Sequence, residues 1–328
     1  MGIALLAACA GGAADAPPAS PTTVAAPSAT PIATPAASTI DPDLQAAAEA
    51  ALAALDRPAA LAVIDAPTGA VLALAEHRGR IGVDGSYPPA STFKIVTTYA
   101  ALTRLGDLDQ VECPAEATVA GVRITNPPGL DLGTTSLDQA FARSCNTTFA
   151  LLAGRLPVGA LESAASDFGF NAPVRVDERS LLASFPAPAG PAEQVTSALG
   201  IARVRSSPVH MASVAAAVAT GTWRAPFTDP ERGSTGTSDL DDSAVATLQR
   251  LTRAVVTDGT ATAADLPGAP VHGKTGTFDD GQEREHAWFI GYRGDLAFAV
   301  LVDRGGVGGQ VAAPVAADFL RALDRSAP

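Results

Sequence analysis

The only two lysines of this 328-residue chain, Lys94 and Lys274, stand in short segments whose neighbouring residues could take part in acyl transfer. The first segment reads Ser91-Thr-Phe-Lys94 and the second reads Lys274-Thr-Gly-Thr277, whereas every other member of the 22 Lys and Arg residues is an arginine. Arginine is always charged in proteins, but burial or a nearby positive charge can make a lysine neutral and able to accept a proton. The two positions therefore predict a base, or a compact ammonium that a guanidinium could not replace.

The first segment predicts a nucleophile and its base on one helix. The apolar spacing from Ser91 to about Arg104 is helical, so Ser91 would lie at the N-terminal end and Lys94 one turn further, on the same face. A neutral Lys94 could remove the hydroxyl proton, and backbone N–H groups at the helix start could stabilise an oxyanion. The same spacing also occurs at ordinary surface helix starts.

Two further segments carry polar groups of the same kind. Ser144-Cys145-Asn146 is predicted to lie in a turn between two helices, where helix capping would be the structural alternative. Lys274-Thr-Gly-Thr277 is predicted on an inner strand, where Gly276 would leave room for a ligand backbone and Lys274 would attract a carboxylate. The alternative for this segment is an edge strand with a polar end.

The elements that must position these residues predict an α+β fold. A helix is expected over 41–56, followed by two strands around a hairpin turn at 65–69. The region 100–260 is rich in Ala and Leu and is predicted to be mostly helical, and strands return in "APVHGKTGT", "EHAWFIGYR" and "LAFAVLVDR" before a last helix. The expected layout is an antiparallel sheet covered by helices plus an inserted, mostly helical lobe.

Composition excludes several classes of function. The net charge is −12 and no basic tract occurs, so nucleic-acid binding is not expected. With 3 Cys and 4 His, the chain contains neither a Cys-x-x-Cys nor a His-Glu-x-x-His motif, so we expect no metal site. No cofactor is expected either.

The first 40 residues are predicted to lie outside the folded domain. Residues 1–9 resemble a truncated lipoprotein-type signal, in which Cys9 of Leu6-Ala7-Ala8-Cys9 would carry a lipid anchor in the membrane. The alternative is an apolar end with an incidental cysteine. Residues 10–40 are mostly Ala, Pro, Thr and Ser and predict a disordered linker, which leaves 41–328 as the catalytic domain.

The order of the three motifs resembles the signature of the active-site-serine penicilloyl enzymes. Longer segments, including "LAVIDAPTGAVLALA", "VTSALGIARVRSSPVHMASVAAAVATG" and "HAWFIGY", are similar to penicillin-binding protein transpeptidase domains. The resemblance covers about 45–325 and is closest to the class B type, without the large N-terminal domain usual there. One departure is Gly200-Ile201-Ala202, where many relatives have Gly-Gln-Gly, which bears on substrate preference more than on chemistry.

The resemblance implies a serine acyltransferase that acts on D-Ala-D-Ala stem peptides of peptidoglycan and is acylated by β-lactams. Ser91 would attack the carbonyl of the penultimate D-Ala and expel the terminal D-Ala. Lys94 would be the base, kept neutral by desolvation and by Lys274. Ser144 would relay a proton to the leaving amine, and Asn146 would bind Lys94 or the substrate amide.

The strand motif would bind the substrate. Lys274, Thr275 and Thr277 would hold the terminal carboxylate, with Gly276 beside them, and the N–H groups of Ser91 and Thr277 would form the oxyanion hole. The acyl group would then pass to an amine of a second strand (transpeptidation) or to water (carboxypeptidation). A monomer is expected, on the outer face of the cell membrane.

Three alternatives remain beside a transpeptidase. One is a D,D-carboxypeptidase, which would share every motif residue. A class D-like β-lactamase is disfavoured because such enzymes usually carry an apolar residue at the position of Asn146 and a shorter interval from Ser91 to Lys274. The third alternative is a lipoprotein that binds β-lactams or muropeptides without turnover.

Cys113 and Cys145 allow two interpretations. In an exported protein they could form a disulfide that would fix the turn containing Ser144. The alternative, which we favour from sequence alone, is a pair of free buried thiols, since sequence does not reveal Cβ geometry.

Overall fold

The computed structural model describes residues 38–106, 108–279 and 285–326. The signal predicted over 1–9, with Cys9, and most of the linker predicted over 10–40 lie outside these ranges. Thr39 is held against the domain, because its Oγ1 donates to Val71 O at 2.7 Å and its N–H donates to Thr228 O at 3.0 Å. Contacts with the domain are therefore already made at Thr39, before the predicted boundary at 41.

The secondary structure alternates short strands and helices along the chain. The helices are α1 (Pro42–Leu52), α2 (Lys94–Leu105), α3 (Leu137–Ala142), α4 (Asn146–Arg155), α5 (Ala160–Asp167), α6 (Pro191–Ala198), α7 (Pro208–Thr220), α8 (Asp242–Thr257) and α9 (Ala312–Ser326). Short 3₁₀ turns occupy Ala90–Phe93 and Thr262–Ala264. The strands are β1 (Ala59–Asp65), β2 (Val71–His77), β3 (Gln110–Cys113), β4 (Glu116–Val119), β5 (Val122–Thr125), β6 (Gly133–Ser136), β7 (Arg175–Val176), β8 (Arg179–Ser180), β9 (Ala183–Ser184), β10 (Arg205–Ser206), β11 (Thr222–Arg224), β12 (Thr237–Asp239), β13 (His272–Phe278), β14 (His286–Arg293) and β15 (Leu296–Val302).

The largest sheet has five antiparallel strands in the order β13-β14-β15-β1-β2. In its middle, Ala62 lies opposite Ala299, and nearly every residue of β1 and β15 is buried. Because successive side chains of a strand point to opposite faces, this burial means that both faces are covered. Helix α7, buried on all sides from Pro208 to Val218, packs against β1, β14 and β15, while α1 and α9 contact the sheet and each other.

The strand that carries the Lys274 motif is an edge strand. The sequence predicts an inner strand, but β13 pairs with β14 alone within the sheet, with Lys274 opposite Ile290. Its seven residues nevertheless include a buried run, because helix α8 and the 3₁₀ turn Ala90–Phe93 pack against the strand. The prediction was wrong because burial by helices and burial by neighbouring strands leave the same apolar signal in a sequence.

Capping residues set the starts of two helices. Asp41 accepts hydrogen bonds from two N–H groups of the first turn of α1, and Pro42 occupies the first helical position, where no N–H partner is needed. Ser136 accepts a hydrogen bond from Gln139 N–H at the start of α3. The helix predicted over 41–56 therefore begins where the sequence indicates, but it ends at Leu52.

The lobe inserted between β2 and β13 contains α2 to α6, α8 and small two-stranded sheets. The predicted α+β layout, with an antiparallel sheet, covering helices and a largely helical insertion, is therefore confirmed. The small sheets β3–β6 and β4–β5 were not predicted, because strands of four residues carry little periodicity. In the described ranges, no helix combines the length and apolar character needed to cross a bilayer.

A disulfide joins Cys113, at the end of β3, to Cys145. Their Cα atoms are 6.2 Å apart, and both residues are fully buried. The interpretation as two free thiols was therefore wrong. Strand β3, paired with β6, brings Cys113 beside the turn between α3 and α4, and this non-local pairing has no sequence signal.

Candidate active site

Ser91 lies in the 3₁₀ turn that leads into α2, and the backbone behind it is tightly constrained. Ala90 has a φ of +49°, and its N–H donates to Gly200 O at 2.9 Å. Gly200 itself has a φ of +70°, and a Cβ there would lie 2.2 Å from Ala90 O. Only glycine fits at this contact, so the turn after α6 fixes the position of Ser91 from behind.

Gly276 allows β13 to approach the same turn. A Cβ at Gly276 would lie 2.9 Å from Pro89 O and 3.1 Å from Thr92 Cγ2. Gly276 therefore makes room for the segment that carries Ser91, and room for a ligand backbone at the same glycine stays a prediction. The glycine sets the distance between two of the three motifs.

Lys94 is fully buried below Ser91 and is held by the Ser144 motif. Its Nζ donates to Asn146 Oδ1 at 2.7 Å and to Ser144 O at 2.8 Å, and it lies 3.2 Å from Ser144 Oγ. Burial, and secondarily the charge of Lys274, hold the pKa of Lys94 well below its usual range. The helix turn therefore presents a lysine suited to accept a proton.

Lys274 reaches the same group from β13 and is also fully buried. Its Nζ donates to Ser144 Oγ at 2.9 Å and to Thr275 O at 3.1 Å. Burial lowers the pKa of Lys274 to about 7. Ser144 Oγ is thus shared by two lysine side chains.

The turn that presents Ser144 is fixed by several contacts. Ser144 has a φ of +56°, and the next residue, Cys145, is held by the disulfide. Asn126 Nδ2 donates to Cys145 Sγ at 3.3 Å, and Asn126 Oδ1 accepts from Thr147 N–H at 3.1 Å. No side chain caps the start of α4, so capping does not explain the motif.

The Ser91 hydroxyl is half-buried and faces a cleft of about 480 Å³. No hydrogen bond among the described residues joins Ser91 Oγ to Lys94 Nζ. Catalytic hydrogen bonds often tighten only when a substrate binds, so the i, i+3 placement is compatible with proton transfer in a complex.

The cleft is lined by all three motifs together with residues that sequence reasoning missed. Thr275 Oγ1 bonds to Thr260 Oγ1 at 2.6 Å, and Thr277 Oγ1 accepts from Gly308 N–H at 3.0 Å. The lining residues outside the motifs are Pro127, Arg143, Thr260, Thr262, Val307, Gly309 and Gln310. They come from loops and helix ends and carry no motif of their own.

The motif residues divide into two layers. Ser91, Ser144, Asn146 and the residues Thr275 to Thr277 line the cleft, whereas Lys94 and Lys274 lie beneath them. Across the described ranges, no group of three or more His, Cys, Asp or Glu side chains is arranged to hold a metal ion. The arrangement can deprotonate a hydroxyl, and it can deliver a proton through a second hydroxyl.

The chain is similar to known proteins over most of its length. A family model described as the penicillin binding protein transpeptidase domain matches residues 59–321. The peptidoglycan D,D-transpeptidase PbpA of Mycobacterium tuberculosis is 30% identical over 284 residues, which is 75% of this chain and 57% of that protein. The chain therefore matches little more than half the length of this curated relative.

Solved structures give the same result for the fold. M. tuberculosis penicillin-binding protein A, solved as a ceftriaxone acyl-enzyme complex, superposes with a TM-score of 0.78 at 25% identity and covers 88% of this chain and 79% of its own. Pseudomonas aeruginosa PBP2, in complex with WCK 5153, has a TM-score of 0.78 at 26% identity and covers 88% of this chain and 75% of its own.

Proposed function

Because the chain belongs to the penicillin-binding protein transpeptidase domain family, we propose that it is a D,D-transpeptidase of peptidoglycan stem peptides and that β-lactams acylate it at Ser91. The observation that carries this proposal is the shared contact of Lys94 and Lys274 with Ser144 Oγ, at 3.2 and 2.9 Å, under the cleft that Ser91 faces. This arrangement supplies a nucleophile, a base with a lowered pKa and a route for a proton.

In the proposed acylation, Ser91 Oγ attacks the carbonyl carbon of the penultimate D-Ala. Its proton passes to neutral Lys94, and the C–N bond to the terminal D-Ala breaks. The proton then moves from Lys94 through Ser144 Oγ to the leaving amine, while Asn146 Oδ1 keeps Lys94 Nζ oriented at 2.7 Å. We assign the oxyanion hole to the N–H groups of Ser91 and Thr277, both of which line the cleft.

The edge position of β13 supports an extended substrate. An edge strand has one row of backbone N–H and C=O groups without a strand partner, and an extended peptide can pair with such a row. A donor peptide beside β13 would bring its terminal carboxylate to the hydroxyls of Thr275 and Thr277. Lys274 would contribute its charge from below.

The second half-reaction decides between the remaining activities. Transfer of the acyl group to an amine is transpeptidation, and transfer to water is carboxypeptidation or, with a β-lactam, lactamase turnover. We favour transpeptidation because the 30% identical relative is named a D,D-transpeptidase. A polar Asn146 beside Lys94 also disfavours the dry, carboxylated lysine of a class D-like β-lactamase.

We further propose an extracytoplasmic monomer, attached to the outer face of the cell membrane through a lipid on Cys9. The buried disulfide between Cys113 and Cys145 supports an oxidising compartment. Mass spectrometry of the protein purified from membranes would test the lipid. An unmodified Cys9 would contradict that part of the proposal.

Labelling with a fluorescent penicillin tests the nucleophile. We expect a long-lived adduct on Ser91 that disappears in Ser91→Ala and persists in the control Ser163→Ala, whose hydroxyl is exposed on α5. Complete and rapid hydrolysis of the drug would instead identify a β-lactamase. Absence of any adduct would leave a binding protein without turnover.

Incubation with a D-Ala-D-Ala stem-peptide mimic and a D-amino-acid acceptor tests the reaction class. We expect the acceptor to be incorporated with release of one D-Ala per product. Release of D-Ala without incorporation would identify a carboxypeptidase.

A further inference from the structure

Among the described residues that line the cleft, Arg143 is the one with a charged side chain. It directly follows α3 and precedes Ser144, and its side chain is exposed. Within the described ranges, its guanidinium forms neither a hydrogen bond nor an ion pair. A guanidinium at a cleft wall where the described lining residues include no carboxylate is available to a ligand.

The two lysines are poorly placed for direct contact with an anionic ligand. Lys94 and Lys274 have no exposed surface, and the Nζ of Lys274 is bonded to Ser144 Oγ and Thr275 O. A carboxylate in the cleft would meet hydroxyl groups above these lysines rather than an ammonium. The accessible positive charge on the lining therefore belongs to Arg143.

Arg143 is tied to the same wall as the strand hydroxyls. The carbonyl of Ala142, the preceding residue, accepts a hydrogen bond from Thr260 N–H at 3.2 Å. Thr260 Oγ1 in turn bonds to Thr275 Oγ1 at 2.6 Å. The end of α3, the Thr260 segment and β13 thus form one connected wall that combines hydroxyls with a guanidinium.

We propose that Arg143 binds the C-terminal carboxylate of the donor peptide and restricts the enzyme to peptides with a free carboxyl end. This assignment rests on the proposed function of the cleft. A planar guanidinium can donate two parallel hydrogen bonds to a carboxylate, whereas an amide or ester lacks the charge that makes such bonds strong. Arg143 is a specificity-determining residue and takes no part in proton transfer.

Binding to a protein that lacks the nucleophile tests the proposal without any chemistry. In a Ser91→Ala background, an N-acyl-D-Ala-D-Ala acid and its C-terminal amide are titrated and followed by NMR. We expect the acid to bind about 10- to 100-fold more tightly than the amide, because only the acid can form charge-assisted hydrogen bonds with Arg143. This preference should nearly vanish in Arg143→Gln and be partly kept in Arg143→Lys.

Arg155→Gln is the matched control, because Arg155 is exposed at the end of α4 and does not line the cleft. It removes the same charge from the same lobe and should keep the full preference for the acid. Equal binding of acid and amide, or a preference unchanged in Arg143→Gln, would overturn the proposal. Thermal unfolding of each variant verifies that the fold is kept.

The titration separates this proposal from the proposed enzyme activity. If the wild-type protein forms no penicillin adduct but an Arg143-dependent preference for the acid is measured, the acyltransferase function fails and the carboxylate site stands. If adducts form at Ser91 and Arg143→Gln lowers neither acid binding nor acylation, the function stands and the role of Arg143 is overturned.

Discussion

Lys94 Nζ and Lys274 Nζ converge on one oxygen atom, Ser144 Oγ, at distances of 3.2 and 2.9 Å. Both side chains are fully buried, and both Nζ atoms contact the same oxygen. Two full positive charges on them would therefore repel each other strongly. The charge of Lys274 contributes to the lowered pKa of Lys94. We therefore expect the two lysines to share a single positive charge near neutral pH. Lys274 would be protonated, and Lys94 would be neutral and able to act as base.

The acylation rate should show a bell-shaped dependence on pH. The rate should rise with pH as Lys94, whose pKa is lowered by burial and by the charge of Lys274, loses its proton, and it should fall as Lys274 loses its proton at a pKa of about 7. Stopped-flow labelling with a fluorescent penicillin between pH 5 and pH 9 measures both limbs. In Lys274→Arg the charge is permanent, so the alkaline limb should disappear. An alkaline limb that stays in place in this variant contradicts the assignment.

Replacing Lys94 should separate catalysis from stability. Lys94→Met keeps the buried stem but removes the base, so acylation should fall by about 10²- to 10⁴-fold. The free energy of unfolding should change little, because the variant removes the desolvation cost of the buried amine but also its hydrogen bonds to Asn146 Oδ1 and Ser144 O. Lys94→Arg should also abolish acylation, although it keeps the charge. Urea denaturation and penicillin labelling give the two readouts, and normal labelling of either variant would exclude Lys94 as the base.

Removing the disulfide should destabilise the domain. Cys113 and Cys145 are separated by 32 residues in sequence, for which the chain-entropy model gives a loss of about 3–4 kcal/mol in the Cys113→Ala/Cys145→Ala double variant. Acylation should slow as well, because Cys145 adjoins Ser144. A reducing agent should lower the thermal midpoint of the wild type and leave that of the double variant unchanged. A wild-type midpoint that does not respond to the reductant would argue against the bond.

A glycine at position 202 should stabilise the domain. Ala202 has a φ of +53°, which costs a residue with a Cβ about 1–2 kcal/mol. Glycine would remove this cost, but its greater conformational freedom in the unfolded chain offsets about 0.4–1 kcal/mol of the stabilisation. Ala202→Gly should therefore raise the free energy of unfolding by up to about 1.6 kcal/mol in urea denaturation. The control Ala53→Gly, at a φ of −60°, should lower it, and equal effects of the two changes would refute the strain.

The local features of the fold were predictable from sequence. Asp41 and Ser136 mark helix starts because their side chains cap neighbouring N–H groups, a contact made within three residues. Strands β14 and β15 were equally predictable, because each contains a run of consecutive apolar residues. The three motifs were recognisable for a similar reason, because the residues of each motif lie within three positions of one another in the sequence.

Features created by long-range pairing were not predictable. The edge position of β13 follows from which strand lies next to it, and the disulfide follows from the pairing of β3 with β6. Arg143 and Thr260 reach the cleft because loops from distant parts of the chain pack together. Neither residue type is unusual in a loop, so only the three-dimensional arrangement distinguishes them.

The strand order of the sheet determines at which point of synthesis the cleft can form. β1 pairs with β15, so that Ala62 lies opposite Ala299, and β13 is attached only through β14. During synthesis the first strands must wait for more than two hundred further residues before the sheet can close, and such non-local closure is slow. Penicillin-reactive protein should consequently be absent from nascent chains that end before residue 302, because neither β13 nor the lysine that it carries has docked.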